Sequence, residues 1–201
     1  VQTLRGIENF SISKFRLSEY PLFIKGLAIT KMAAAMANFE LGLLTVEQKD
    51  AIIAACGEIL DGKHHDQFPV DMIQGGAGTT TNMNANEVIA NRALELMGHE
   101  RGEYQYCSPN DHVNCSQSTN DAYPTAIHIG MYFKHLQLLP HLEELIASFR
   151  KKGEEFSRII KMGRTQLEDA VPMTLGQTFN GFASILQDEI AHLNEAAADF
   201  L

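Results

Sequence analysis

Helical spacing of apolar residues runs through most of this 201-residue chain and constrains its fold more than any other feature. Two capping boxes, Thr45-Val-Glu-Gln48 and Thr174-Leu-Gly-Gln177, mark helix starts, because in each the first and fourth residues can satisfy one another's backbone N–H groups. Apolar residues then recur at three- and four-residue intervals, as on the buried face of a helix. Strand signals are weak everywhere. The sequence therefore predicts an all-α fold.

Five segments carry this helical pattern. They are about 19–42 (capped by Ser18), 45–62, 84–97, 118–156, and 174 onward. Pro140 lies deep inside the fourth segment and is expected to kink or briefly break it. Helical spacing is still present at Leu201, so we expect a truncated sequence. The predicted organisation is an N-terminal helical domain at 1–117 and the first, incomplete part of a long-helix central bundle at 118–201.

Charge and cysteine content narrow the classes of partner. With 25 acidic against 16 basic residues, the net charge of −9 disfavours binding to nucleic acid. No uninterrupted apolar run approaches the roughly 18 residues of a membrane span, and the first residues lack the apolar core of a signal peptide. Three cysteines without a Cys-x-x-Cys pair argue against disulfides and zinc. We therefore expect a cytoplasmic protein with no nucleic-acid or membrane partner.

Three polar segments that lead into helices are rich in hydroxyl and amide side chains: 78–87, 109–121 and 163–172. Each alone could serve only for caps and turns. Together with helix N-terminal N–H groups, such side chains form a neutral site that donates hydrogen bonds to an anion. Ser118-Thr119-Asn120 stands at the start of the longest helical segment. The pattern predicts a site for a carboxylate or phosphate ligand, without specifying a reaction.

The same segments carry a family resemblance. Gly-Thr-Thr-Thr-Asn-Met-Asn-Ala-Asn-Glu at 78–87, Pro-Asn-Asp-His-Val-Asn-Cys-Ser-Gln-Ser-Thr-Asn-Asp at 109–121 and Gly-Arg-Thr-Gln-Leu-Glu-Asp-Ala-Val-Pro at 163–172 are similar to motifs of the aspartase/fumarase superfamily. Within the superfamily, Gln166 resembles the aspartate ammonia-lyase family rather than class II fumarases, which carry His followed by Thr here. The stretches 98–106 and 121–125 are also aspartase-like.

The resemblance implies an anti elimination that converts L-aspartate to fumarate and ammonia through an aci-carboxylate intermediate. It implies a small dicarboxylate as partner, no cofactor, and a homotetramer whose active sites are shared between subunits. Fumarase, another lyase of the superfamily and a non-catalytic helical assembly stay open as alternatives.

By residue-wise resemblance, Asn120 would help to hold the amino group. Five residues would contact the carboxylates: Thr79, Ser118, Thr119, Thr165 and Gln166. The family's base is a serine in a Gly-Ser-Ser-x-Met-Pro-x-Lys-x-Asn loop, and that pattern does not occur in these 201 residues. We therefore expect the serine loop beyond Leu201, no catalytic residue within this sequence, and negligible activity for this piece alone. Thr178 stands where the family usually has Glu, a substitution expected to be tolerated.

A few other polar residues have competing interpretations. Adjacent His64 and His65 suggest a metal site, but no third ligand is evident, so we expect a polar loop and no metal. Arg164 could bind a carboxylate, although a salt bridge with a nearby acidic residue is preferred. His112 could touch substrate or orient its loop. Arg5 could reach the site from the N-terminal segment, which we do not favour.

Overall fold

The computed structural model describes residues 1–73 and 77–200 and is mainly helical, which confirms the predicted class. In chain order, its elements are α1 (Gln2–Asn9), α2 (Pro21–Glu40), α3 (Val46–Leu60), α4 (Thr79–Leu96), α5 (Thr119–Glu155), β1 (Ile160–Thr165), β2 (Glu168–Thr174) and α6 (Leu175–Ala198). Short 3₁₀ turns form at Leu17–Glu19 and His65–Gln67, and a π-helical turn forms at Pro109–Val113.

Local chemistry sets the helix starts. Both predicted capping boxes form; in the first, Gln48 N donates to Thr45 Oγ1 at 3.2 Å and Thr45 N donates to Gln48 Oε1 at 3.1 Å. Helix α2 begins at Pro21, later than predicted, since a proline at the first helical position loses no internal hydrogen bond. Helix α4 begins at Thr79, five residues earlier than predicted, after Gly78 in the left-handed conformation (φ +91°).

One local prediction is wrong in part and another is wrong. Helix α5 runs for 37 residues without a break at Pro140, so one missing N–H group is absorbed within a long helix, and the kink expected there stays a prediction. The segment at 162–172, for which no strand was predicted, forms most of an antiparallel hairpin in which Thr165 pairs with Glu168. Its turn residues, Gln166 and Leu167, both have positive φ (48° and 70°). Asn-Gly, the usual signal for such a turn, is missing, so the sequence did not reveal it.

The chain forms two compact units, Val1–Met131 and Tyr132–Leu201, and the division falls within α5. The predicted boundary between residues 117 and 118 stays a prediction. In the first unit, α2, α3 and α4 pack around one apolar core that includes Ile24, Ile52 and Ile89, each fully buried. Gly26 allows α2 to approach α5, because a Cβ there would overlap the backbone carbonyl of Ala126.

The second unit buries much less apolar surface within itself. Its described core consists of Ile146, Ala183 and Ile190, with partly buried leucines and Phe149 packed against it. Phe149 also meets the rings of Phe179 and Phe182 at centroid distances of 6.0 and 5.6 Å. The helices of this unit thus hold together along a narrow stripe.

By length and composition, α2 is the one described helix that could cross a membrane. It lies within the core of the first unit, where Ile24, Leu27 and Ala28 are buried against neighbouring helices. Burial in a protein core accounts for the same apolar character, so α2 gives no evidence for a membrane span.

Candidate functional site

The starts of α4 and α5 lie side by side, and this brings two of the predicted polar segments together. Gly78 packs against the ring of Tyr123 so closely that a Cβ there would overlap it. One turn into α4, Asn82 Nδ2 donates to Thr119 Oγ1 at 3.0 Å. The contacts place Thr79, the first residue of α4, near the beginning of α5. Four predicted site residues therefore gather in the first unit, with Thr79 joined by Ser118, Thr119 and Asn120.

The residues at the start of α5 present their polar groups outward. Ser118 caps the helix: its Oγ accepts from Asn120 N at 3.2 Å, and its carbonyl accepts from Ala122 N at 3.0 Å. The side chains of Ser118 and Asn120 are exposed, whereas Thr119 is half-buried. Hydroxyl and amide donors thus surround the positive end of a 37-residue helix, the arrangement expected for anion binding.

Two clefts adjoin these donors. A groove of about 600 Å³ is lined by Gly78, Asn120 and Tyr123 together with apolar side chains. A smaller cleft of about 200 Å³ is lined by Thr79, Arg5 and other residues of α1. Arg5, which we did not favour from sequence, therefore lies beside one of the predicted carboxylate contacts. A guanidinium at this place adds a local positive charge to a site in an acidic protein.

A buried polar network lies directly behind Thr119. Lys31 Nζ donates to Asn114 Oδ1 at 3.0 Å and to Gln117 Oε1 at 2.9 Å. Asn82 Nδ2 and Asn86 Nδ2 each donate to the same Asn114 oxygen at 3.1 Å. The network ties α2 and α4 to the loop that leads into α5, and so fixes the backbone on which the candidate donors stand.

Lys31 is fully buried, which is rare for a lysine. Desolvation lowers the pKa of its amine to about 7, and the electrostatic influence of Cys56 acts in the opposite direction. Burial likewise raises the pKa of the Cys56 thiol to about 12. The candidate site thus has behind it a buried amine whose pKa lies near neutral pH.

The last two predicted residues, Thr165 and Gln166, belong to the second unit. Thr165 ends β1 and Gln166 begins the hairpin turn, and both are exposed. Left-handed backbone at two consecutive non-glycine residues, Gln166 and Leu167, is strained, and such strain concentrates at functional sites. The hairpin presents these groups without a supporting network of the kind found behind Thr119 among the described residues.

Other polar candidates have structural contacts. His64 Nε2 lies 2.9 Å from Glu58 Oε2, and His65 Nε2 lies 2.9 Å from the Ile59 carbonyl. In the part of the chain that the structure describes, no group of three metal-ligating side chains is close enough to hold an ion. Arg164 forms the expected salt bridge, with Asp169 at 3.5 Å. His112 Nδ1 lies 2.8 Å from the backbone N of Ser108 within the π-helical turn, so this side chain orients its loop.

Comparison with known proteins identifies the family. The profile of a family described as Lyase matches residues 1–201. The chain belongs to this lyase family. It is 58% identical over its whole length to an aspartate ammonia-lyase of Pseudomonas canavaninivorans, and 55% identical over 198 residues to that of Escherichia coli K12. The lyase chain spans 42% of the length of the first relative and 41% of the second.

Solved structures agree with this assignment. The chain matches a structure described as fumarate lyase:delta crystallin from Brucella melitensis with a TM-score of 0.93 and 54% identity, covering all of this chain and 46% of that one. It matches a class II fumarase from Schistosoma mansoni with a TM-score of 0.86 and 38% identity, covering 42% of that chain. The fold of this lyase chain is thus shared by members named for different reactions.

Sequence reasoning missed the residues behind the site. Lys31 received no role, and Asn82, Asn114 and Gln117 were noted only as members of two polar segments. A signal was available: Asn82 and Asn86 stand four residues apart and therefore on one helix face, and Lys31 interrupts an apolar, alanine-rich helix. Asparagines at helical spacing and a lysine inside an alanine-rich helix of this lyase were thus the clue to the network behind the candidate site.

Proposed function

We propose that the chain is part of an aspartate ammonia-lyase, which converts L-aspartate to fumarate and ammonia. The observation that carries this proposal is the 55–58% identity to aspartate ammonia-lyases over essentially the whole chain. The identity to a class II fumarase is lower, 38%. The gathering of hydroxyl and amide donors at the start of α5 supports a carboxylate substrate.

In the proposed reaction, a base removes a proton from the carbon next to the distal carboxylate. This carboxylate then carries a second negative charge in an aci-carboxylate intermediate, and the charge must be held by hydrogen-bond donors already in place. Ser118 and Thr119 at the start of α5 suit this role, with Thr79 contacting the carboxylates from α4. Asn120 would help to hold the amino group, which leaves as ammonia.

Thr165 and Gln166 are proposed to complete the carboxylate contacts. Their hairpin turn exposes both side chains, as expected for residues whose contacts are made by another part of the enzyme. The exposed apolar side chains of α5 and α6, such as Leu145 and Ile185, support a homotetramer with active sites shared between subunits. We propose a cytoplasmic enzyme without an organic cofactor.

The base is proposed to be a serine outside these 201 residues. The family's Gly-Ser-Ser loop pattern is absent from the sequence, and the relatives are more than twice as long as the chain. The 201-residue chain alone is therefore expected to release no measurable ammonia from L-aspartate. Ammonia release from it would contradict the need for the serine loop.

The test of the function uses a polypeptide that contains this chain and extends to the full length of its relatives. Fumarate formation is measured from L-aspartate, L-malate and argininosuccinate under the same conditions. Rapid turnover of L-aspartate alone is the expected result. Preferential turnover of L-malate would show a fumarase, preferential turnover of argininosuccinate another lyase, and failure to bind any dicarboxylate a non-catalytic assembly.

A further inference from the structure

In the buried network behind Thr119, each side-chain amide can be oriented in only one way, so its donors and acceptors are fixed. Asn114 is the first residue whose orientation can be assigned. Its Nδ2 donates to the backbone carbonyl of Gln117 at 3.1 Å, and its Oδ1 accepts from Lys31 Nζ at 3.0 Å. A backbone carbonyl can only accept, so the Asn114 Nδ2 must face Gln117. Rotating the Asn114 amide would set its Oδ1 against that carbonyl oxygen, so the Oδ1 must face Lys31 instead.

The protonation state of Lys31 leaves this direction unchanged. Gln117 Nε2 donates to the carbonyls of Val113 and Cys115 at 2.8 and 3.1 Å, so its Oε1 must accept from Lys31. Lys31 therefore faces two acceptors, Asn114 Oδ1 and Gln117 Oε1. A neutral amine carries two hydrogens and an ammonium three, and either form can satisfy both acceptors.

Asn82 transmits the direction to the site. Because Asn114 Oδ1 can only accept, Asn82 must turn its Nδ2 toward that oxygen, 3.1 Å away. The amide nitrogen has a second hydrogen, which it donates to Thr119 Oγ1 at 3.0 Å. Asn82 is only 1% exposed, so water does not compete for these two bonds.

The consequence falls on the hydroxyl of Thr119. Its oxygen already accepts from Asn82, and the hydroxyl proton has no acceptor among residues 1–73 and 77–200. The remaining hydrogen is therefore free to point to a ligand. A hydroxyl whose oxygen accepts one hydrogen bond in this way keeps its proton for donation to an anion.

We propose that Asn82 is a positioning residue which, oriented by Asn114 and Lys31, makes the Thr119 hydroxyl a hydrogen-bond donor to the substrate carboxylate. The inference rests on the proposed function in one respect, the contact between Thr119 and a carboxylate. Residues of α2 and α4 thus determine that the Thr119 hydroxyl donates its hydrogen bond, in addition to packing the core.

The test reverses the direction with a nearly isosteric change, Asn82→Asp. A carboxylate at this position accepts from Thr119 and draws the hydroxyl proton away from the substrate. In the full-length enzyme, we expect kcat/KM for L-aspartate to fall by about 10²-fold, the scale of losing one preorganised donor. In a Thr119→Val background, the same change should cost less than about 3-fold, since the two residues act as one unit.

Asn84→Asp is the matched control. Asn84 is as buried as Asn82, on the same helix, and its Nδ2 donates to the Gln67 carbonyl at 3.0 Å, with no bond to Thr119. Both aspartate variants should lower the melting temperature to a similar extent, but Asn84→Asp should keep kcat/KM within about 3-fold. A Thr119→Ser background, which keeps the hydroxyl, should retain the full sensitivity to Asn82→Asp.

Two results would overturn the inference. The first is an Asn82→Asp variant no less active than Asn84→Asp. The second is a double variant in which the fold-losses of kcat/KM from Asn82→Asp and Thr119→Val multiply. If Asn82→Asp fails to fold, the pair Asn82→Ala and Asn84→Ala replaces it, with the loss again expected only for Asn82 and only when Thr119 is present. Failure of the unmutated enzyme to use L-aspartate would refute the proposed function instead. The same variants are then compared by the dissociation constant of fumarate.

Discussion

The two compact units differ in how much support each gives to its own residues. In Val1–Met131, three helices enclose a continuous apolar core, and a buried polar network stands behind the candidate donors. In Tyr132–Leu201, the described core contains three buried residues, and the candidate donors Thr165 and Gln166 lie at an exposed hairpin turn. The first unit thus supports its candidate donors with its own core and polar network, whereas the second gives its candidate donors no such support among the described residues.

The largest expected difference between the units concerns core truncation. Ile52 is fully buried, and Ile52→Ala should lower the free energy of unfolding of the 201-residue chain by about 2–5 kcal/mol because the change leaves a cavity. Ile185 on α6 is 61% exposed, and its change to alanine should alter the free energy of unfolding by less than about 0.5 kcal/mol. Urea unfolding measures both. A larger loss for Ile185→Ala in the full-length protein than in the chain would show that a partner covers this face.

A second expected difference concerns a glycine in each unit: Gly26 lies at a close helix contact of the first unit, and Gly181 lies in open space on α6 of the second. Gly26→Ala should destabilise by about 1–3 kcal/mol, since the added methyl meets the Ala126 carbonyl. Gly181→Ala on α6 meets nothing within 4 Å and should stabilise by about 0.5–1 kcal/mol through helix propensity alone. Thermal unfolding distinguishes them. Equal effects of the two changes would contradict the close approach of α2 and α5 in the first unit.

The buried amine predicts a pH dependence of stability for the first unit. The folded-state pKa of Lys31 is about 7, below the value near 10.4 of an unfolded lysine. Between these values the unfolded chain binds the proton that the folded chain lacks, so the stability of the unmutated chain relative to Lys31→Met should rise with pH. The slope should reach about 1.4 kcal/mol per pH unit at most. Urea unfolding at pH 6, 7.5 and 9 measures it, and a flat difference would contradict the burial of the amine.

Ion pairs should show the smallest difference. Hydrogen bonds from Arg92 and His64 lower the pKa of Glu58 to about 2, so its contribution is present above about pH 4.5 and lost as the pH falls toward 2. Glu58→Gln should cost about 1 kcal/mol at pH 7. Glu155→Gln, which removes a half-exposed pair with Lys152 in the second unit, should cost less than about 0.5 kcal/mol. Similar losses of unfolding free energy for the two changes would show that the contacts of Glu58 with Arg92 and His64 are no stronger than a surface ion pair.

The sequence predicted the helices well where local signals were strong. Capping boxes at Thr45 and Thr174 placed two helix starts correctly, because the residues that define such a start are adjacent in sequence. The start of α4 was misplaced because Gly78 begins a helix there through packing against Tyr123, a contact 45 residues away in sequence. The hairpin was missed since its turn uses Gln166 and Leu167 in strained conformations that tertiary context must hold.

The candidate site could be predicted from the sequence as a set of hydrogen-bond donors, but its supporting network could not. Ser118 and Thr119 could be proposed because hydroxyl side chains at a helix start are recognisable from local sequence. The connection from Lys31 through Asn114 and Asn82 to Thr119 joins residues up to 88 positions apart, and no spacing rule describes it. Only the three-dimensional structure shows which of the many asparagines contacts the loop.

The most direct measurement of the central claim, that the start of α5 holds the substrate carboxylate, is kcat/KM for L-aspartate in the full-length Thr119→Val enzyme. Thr125→Val serves as control, because Thr125 Oγ1 is exposed and donates to the Asp121 carbonyl within the same helix. Thr119→Val should lower kcat/KM by roughly 10²–10³-fold with little change in melting temperature, while Thr125→Val leaves kcat/KM nearly unchanged. Equal activity of the two variants would contradict the assignment of Thr119 and of the anion site built around it.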